Sequence, residues 1–173
     1  MLLDNCIEHF EMAENKPFII AAQIEKIKVF IEIGENKKAL KVIRKVDAQL
    51  QKMEFSDFDL LLDSIKCLLN LDDIRTQDVD KIEKSLSELE LTERFNSYWY
   101  LAQAYFGIDE KDKAQNCHES AKSLLTEAAN KNSKSEDRDT YLNNIYFHKR
   151  IQEEIKEKSK PSEDTTKENI FTF

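Results

Sequence analysis

The stretch from Tyr98 to Leu125, YWYLAQAYFGIDEKDKAQNCHESAKSLL, decides the fold of this chain. Large apolar and small side chains recur in it three or four residues apart, before Gly107 and again after it, which is the spacing of buried helical stripes. The small residues are Ala102, Ala114 and Ala121. Because two antiparallel helices approach closely only where small side chains lie at their crossing, the stretch predicts packed helices over about 95–107 and 111–129 with these alanines buried between them.

Apolar residues keep a helical spacing along most of the remaining chain. Its 173 residues include only two glycines and two prolines, and 35% of them are charged, a composition typical of amphipathic helices joined by short polar turns. Two capping-box sequences, Ser56 to Asp59 and Ser133 to Glu136, mark helix starts, and the second opens one last helix as far as Ile155. The other stripes run over Leu3–Phe10, Ile20–Ile31, Ala39–Leu50, Leu60–Leu71, Val79–Leu89, Tyr98–Tyr105 and Ala114–Leu125.

The order of these stripes predicts one all-α domain over residues 1–158, built from stacked antiparallel helix–turn–helix pairs. Residues 159–173 begin with SKPSEDTTKEN, which offers almost nothing to bury. Such a segment gains too little from burial to offset the entropy of ordering. We therefore predict a flexible C-terminal tail over 159–173.

The quoted stretch resembles the tetratricopeptide repeat, a helical hairpin of about 34 residues. A departure is His118, at a place where the family has a large apolar residue, and another is Thr126, where a proline is frequent. A second helix pair, around Gly34 and Ala39, matches the repeat pattern fairly well on its second helix but not on its first. A further pair over 56–90 matches the helix–turn–helix architecture but not the residue pattern. The resemblance implies a short solenoid. It is carried by Tyr98, Leu101, Ala102, Tyr105, Ala114 and Ala121.

The segment RDTYLNNIYFHKRI, from Arg138 to Ile151, resembles the closing helix of helical-repeat regions in large bacterial regulatory ATPases, cyclases and kinases. Those regions lie at the C-terminal end of such proteins. The resemblance implies a capping helix with one apolar and one polar face. It rests on Arg138, Tyr141, Leu142, Asn144, Ile145, His148 and Ile151.

The resemblance to the tetratricopeptide repeat also implies a partner-binding groove, lined by the inner face of the first helix of each pair. Trp99 and Phe106 lie two turns apart and are not needed by their own helix pair, so we expect them to form an apolar floor. The alternative is that the C-terminal helix folds over them. The implied lining is Asn96, Trp99, Gln103, Phe106 and Gly107 in the third pair, and Ala21, Ile24, Lys28, Ile31 and Glu32 in the first.

Charge and cysteine usage exclude several classes of function. The formal net charge is −8, and with no evident basic stripe the chain is a poor nucleic-acid binder. No apolar run reaches the ~20 residues of a membrane span, and the acidic N-terminus lacks the pattern of a signal peptide. Three widely spaced cysteines, Cys6, Cys67 and Cys117, favour a reducing, cytoplasmic location over a disulfide framework.

No motif predicts catalysis or a cofactor. Cys6 and His9 lie one turn apart, but further metal ligands at sensible spacing are missing. Cys117 and His118 are neighbours and point about 100° apart on a helix, which does not suit a catalytic pair. We expect His118 to be a partly buried histidine with one satisfied ring nitrogen. The sequence therefore predicts a protein that is not an enzyme and holds no metal or cofactor.

Two functions remain as hypotheses. The first is a scaffold-like protein–protein interaction module that binds a partner protein or peptide segment in the groove. The alternative is a regulatory or sensory C-terminal unit of a larger signalling ATPase, cyclase, kinase or transcription regulator. The identity of the partner and the oligomeric state stay open.

Overall fold

The computed structural model describes residues 2–52, 58–70, 73–132 and 134–153. Within these ranges the chain is α-helical with no strand, which confirms the predicted all-α, helical-repeat-like fold. A 3-10 turn, Leu86–Glu88, follows the fifth helix. The predicted tail and the capping-box residues Ser56 and Ser133 lie outside the described residues. The helices are α1 (Leu2–Met12), α2 (Lys16–Glu32), α3 (Asn36–Leu50), α4 (Phe58–Leu69), α5 (Thr76–Ser85), α6 (Leu91–Gly107), α7 (Lys111–Asn130), α8 (Ser135–Asn143) and α9 (Tyr146–Gln152).

Three of the turns between helices share one backbone geometry. The turns α1–α2, α2–α3 and α6–α7 each have one residue in the left-handed region, Glu14 at φ 52°, Gly34 at φ 75° and Asp109 at φ 63°. In each turn the next residue, Asn15, Glu35 or Glu110, is the N-cap of the following helix. The same three-residue connection therefore reverses the chain three times.

The hydrogen bonds of these turns follow the Schellman pattern, in which the N–H two residues beyond the helix end reaches back a full turn and more. Asn15 N donates to Phe10 O at 3.0 Å, Glu35 N to Phe30 O at 2.8 Å and Glu110 N to Tyr105 O at 2.9 Å. An aromatic residue accepts the bond in all three cases. The three turns of the structure therefore share an aromatic acceptor, a left-handed residue and an N-cap in the same order.

The most extensive helix contact joins α6 to α7, followed by α4 with α6 and α2 with α3. Ala102 and Ala121 are fully buried and Ala114 is 1% exposed, which confirms the prediction for the α6–α7 crossing. One core cluster joins α2, α3, α4, α6, α7 and α9, and a second joins α4, α5, α6 and α7. Helix α6 contributes to both clusters and lies at the centre of the fold.

A polar cluster fastens α5 to this centre. The hydroxyl of Tyr105 lies 2.7 Å from a carboxylate oxygen of Asp80 and 2.7 Å from one of Glu83. Lys113 from α7 pairs with the same Asp80. Burial and the two carboxylates raise the pKa of Tyr105, so its hydroxyl stays protonated and donates.

The C-terminal segment differs from the single capping helix that the sequence predicted. It forms two helices, because the chain bends at Asn144 and Ile145, and Ile145 has an extended ψ of 118°. The bend places a ring nitrogen of His148 2.7 Å from the carbonyl oxygen of Tyr141. As a result Ile145, expected on the apolar side, is 41% exposed, while Ile151 is fully buried. No described helix is both long and apolar enough to cross a membrane.

The α6–α7 crossing gives a first prediction. Ala114→Leu should lower the free energy of unfolding by about 1–3 kcal/mol, because the crossing has no room for three more carbon atoms. Urea unfolding followed by circular dichroism measures the loss. Ala48→Leu is the matched control, since Ala48 is exposed on α3 and should change stability little. Equal stability of the Ala114→Leu variant and the parent would contradict the crossing.

The repeated turn gives a second prediction. Gly34→Ala should cost about 1 kcal/mol, because an alanine is strained at a left-handed φ. A Cβ atom built at Gly34 meets no atom within 4 Å, so the loss would report backbone strain and not a clash. The reverse change, Glu14→Gly, should not destabilise the protein. If both variants unfold at the same urea concentration as the parent, the turn geometry is wrong.

Candidate functional site

Helix α9 lies against α2 on one side and against α6 and α7 on the other. We call the surface that it covers the α9 groove and define it by Lys28, Glu32, Phe95 and His118. Each of these four side chains contacts α9 directly. Lys28 and Glu32 belong to the lining that the sequence predicted for a partner-binding groove, whereas Phe95 and His118 do not.

The contacts with α2 are polar and aromatic. The Lys28 ammonium lies 5.6 Å from the centre of the Phe147 ring and 2.7 Å from a carboxylate oxygen of Glu25. Glu32 accepts a hydrogen bond of 3.0 Å from the hydroxyl of Tyr146. The Arg150 guanidinium lies 3.6 Å from the same carboxylate, whose side chain is only 12% exposed. Helix α9 therefore offers two aromatic rings and one cation to a face of α2 that holds a lysine and a glutamate.

The contacts with α6 and α7 are mostly apolar. The His148 ring meets the Phe95 ring edge to face at 5.3 Å, and Ile151 is fully buried in the first core cluster. Nε2 of His118 lies 2.8 Å from the carbonyl oxygen of Ile151. His118 is 3% exposed, so it is buried more completely than the sequence predicted, while one ring nitrogen has a hydrogen-bond partner as expected.

Burial lowers the pKa of His148 below its ordinary value of 6.5. The hydrogen bond to the Tyr141 carbonyl and the negative charge of Glu25 raise this pKa, and the positive charge of Lys28 lowers it, but desolvation is the largest effect. At neutral pH the imidazole is therefore neutral. Protonating it would place a buried positive charge against the Phe95 ring and within the electrostatic influence of Lys28.

The groove residues predicted on α6 are mostly not open to solvent. Trp99 is 3% exposed and its ring contacts the His118 ring at 5.4 Å. Asn96 is 7% exposed and donates a 2.9 Å hydrogen bond to Thr92 O in its own helix. Gln103 is half-buried. An open tryptophan-floored groove is therefore wrong for this conformation, because α7 and the C-terminal segment cover that side of α6.

Trp99 and Phe106 do not form one apolar floor. Trp99 packs in the first core cluster, whereas Phe106 packs at the edge of the second. On α2, Ile24 is 2%, Ile31 4% and Lys28 6% exposed. Lys28 contacts α9 through the ring of Phe147, and Ile24 and Ile31 lie in the core cluster that also contains Ile151 of α9.

Sequence reasoning missed the residues of α9 that fill the groove. These are Tyr146, Phe147, His148 and Arg150, which stand together in the short run YFHKR. Three aromatic rings beside two cations in five residues are a signal for a binding segment. The sequence predicted that these residues belong to one continuous capping helix. It gave no sign that the helix breaks before them, at Asn144 and Ile145.

The two buried cysteines are not reactive. Burial raises the pKa of Cys67 to about 12 and raises that of Cys117 as well, so both thiols stay protonated at neutral pH. All three cysteines are free. The described residues contain no group of three or more His, Cys, Asp or Glu side chains arranged to hold a metal ion.

Comparison with known proteins gives no relative. No protein-family model, curated protein sequence or solved structure matches this chain. The resemblance to the tetratricopeptide repeat stays a prediction, carried by the residues of the third helix pair.

The buried His148 gives a third prediction. Its proton is bound more weakly in the folded than in the unfolded chain, so its contribution to stability is present above about pH 6.5 and is lost as the pH falls below that value. The free energy of unfolding should therefore drop more between pH 7.5 and 5.5 in the parent than in His148→Gln. His9→Gln, at an exposed position, should behave like the parent. Equal losses in all three proteins would contradict this role of His148.

Proposed function

We propose that this protein is a protein-interaction module that binds a short helical segment of a partner in the α9 groove. No reaction is part of this function. The single observation that carries the proposal is that the groove already holds such a segment, α9, which has seven residues and follows a bend at Asn144 and Ile145. A surface that packs a short amphipathic helix from its own chain has the shape and chemistry to pack one from another chain.

The chemistry of the groove defines the partner. A suitable helix presents an aromatic residue to Lys28, a cation or hydroxyl to Glu32 and an aliphatic side chain to the pocket of Ile151. Aromatic and arginine side chains are the commonest anchors of protein interfaces. The partner segment is therefore expected to be aromatic and basic, as α9 is.

Helix α9 is an incomplete ligand for this surface. The indole N–H of Trp99, whose ring contacts His118 of the groove, is buried with no hydrogen-bond acceptor among the described residues. A buried donor left without a partner costs roughly 1–3 kcal/mol. A partner segment that supplies even one acceptor there gains over α9, which favours exchange between them.

The second candidate function is a regulatory unit of a larger signalling protein. The filled groove favours it, because a binding surface closed by its own chain opens only when another event outcompetes the closing segment. Both candidates require that α9 leaves the groove. They differ in whether the partner is a separate protein or another part of the same one.

A fourth prediction tests the groove with a peptide of known sequence. A synthetic peptide of residues 135–153 should bind the full chain carrying Ile151→Asp, in which its own α9 is displaced by the cost of burying a carboxylate. The sole tryptophan, Trp99, reports binding, because its emission shifts to the blue as the groove fills. Adding Glu32→Arg should weaken the peptide about fivefold, since it replaces the partner of Arg150 by a like charge.

The controls separate binding from folding. A peptide carrying Arg150→Glu should recover affinity for the Glu32→Arg chain, and Glu88→Arg, an exposed site on the 3-10 turn, should leave binding unchanged. Circular dichroism checks that Ile151→Asp stays helical; Tyr146→Ala with Arg150→Ala is the milder replacement if it does not. The proposal would be contradicted if the folded Ile151→Asp chain does not bind the peptide, or if it binds the peptide equally well with and without Glu32→Arg. The proposal would extend to the cell if a cellular partner binds the Ile151→Asp chain and no longer binds once Glu32→Arg is added.

A further inference from the structure

A stripe of positive charge runs along the outer face of α3. It consists of Lys37, Lys38, Lys41, Arg44 and Lys45, continued by Lys52 just beyond the helix end, and all six residues are exposed. At 100° per residue they fall within an arc of about 120°. The buried residues of α3, Ala39, Ile43, Val46 and Leu50, occupy the opposite side. The stripe is not evident in the sequence, because the cations alternate along the chain with residues that face the core.

The stripe contrasts with the rest of the molecule. Residues 36–52 contain six Lys and Arg and one Asp. The remaining chain contains 20 Lys and Arg and 33 Asp and Glu, a net charge of −13. The only carboxylate of the segment, Asp47, pairs with Lys66 of α4 at 2.7 Å and does not neutralise the stripe.

Within the part of the chain that the structure describes, two of the six cations of the stripe form ion pairs. Lys38 pairs with Glu35 at 3.1 Å and Lys45 with Glu11 at 3.4 Å. Among the described residues, no carboxylate forms an ion pair with Lys37, Lys41 or Arg44. Three adjacent like charges on one exposed helix face repel each other and destabilise the helix slightly, so their placement favours an external anion.

From this stripe we infer a second interaction surface, separate from the α9 groove, that binds an acidic segment of a partner protein. The helix is about 22 Å long, which matches four turns of a facing helix. A partner helix with carboxylates three or four residues apart would place them opposite Lys37, Lys41 and Arg44. Complementary charge of this kind governs association rate and register more than affinity.

The observations favour an acidic peptide over the other polyanions. A nucleic acid extends well beyond 22 Å and would meet the acidic remainder of the surface, and the stripe has no aromatic side chain to stack on bases. An anionic membrane is a plane, so it would face the same acidic flanks, and the apolar side of α3 is committed to the core. A short acidic segment touches the stripe alone.

The fifth prediction uses two labelled peptides of identical composition, one with Glu at positions i, i+4, i+7 and i+8 of a helix and one with the same glutamates consecutive at one end. At low salt the first should bind the full-length protein more tightly. The triple variant Lys37→Gln, Lys41→Gln, Arg44→Gln should weaken it tenfold or more, by loss of three charge contacts that each change the affinity about two- to fivefold. Glutamine keeps the helix propensity.

A matched variant makes the result specific. Lys81→Gln, Lys84→Gln, Lys131→Gln removes three exposed positive charges elsewhere and should leave peptide affinity within about twofold. Equal weakening by both triple variants, or equal binding of both peptides, would overturn the inference in favour of non-specific attraction. Tighter binding of a 20-nucleotide single strand or of phosphatidylserine vesicles, lost in the stripe variant, would overturn the choice of partner. None of these outcomes depends on α9, so the groove is tested separately.

Discussion

The close approach of α6 and α7 depends on three side chains with no atom beyond Cβ. Ala102, Ala114 and Ala121 let the two backbones pack together, and this position of α7 holds His118 against Trp99. His118 in turn forms a hydrogen-bond contact with the carbonyl oxygen of Ile151, and this contact fixes the position of α9. Helix α4 packs on the other side of α6. A substitution at the alanine crossing should therefore alter the position of α9 in the groove, although the crossing does not contact α9.

The spacing of apolar and small residues along the sequence predicted the helices and the crossing of α6 and α7. The period of apolar residues located the helices, and small residues at Ala102, Ala114 and Ala121 located their crossing, because both follow from helix geometry alone. The left-handed turn residues Glu14 and Asp109 were less visible. Only Gly34 of the three carries the residue type that usually marks this conformation, and the other two are held in it by the hydrogen bonds of the turn.

For the candidate site, the sequence indicated which helix faces point inward, but it did not indicate whether those faces are open to solvent. Spacing indicates that Lys28 and Trp99 face inward, but it does not tell solvent from another part of the chain. The break at Asn144 and Ile145 decides that question, and it is favoured by tertiary contacts of His148 and Ile151 that lie beyond it. Helix propensity alone continues one helix through this point. The basic face of α3 was missed for a related reason, since a stripe becomes visible only when the helix is drawn as a surface.

The two-residue connection between α8 and α9 has a consequence for any competitor. A segment tied so closely to its site experiences an effective concentration on the order of millimolar, so weak contacts suffice to keep it there. A free partner at micromolar concentration must bind the same surface about a thousandfold more tightly than α9 does to displace it at equilibrium. The connection between α8 and α9 thus sets the minimum affinity that a partner needs to occupy the groove. Its length can change through evolution or design without altering any contact in the groove.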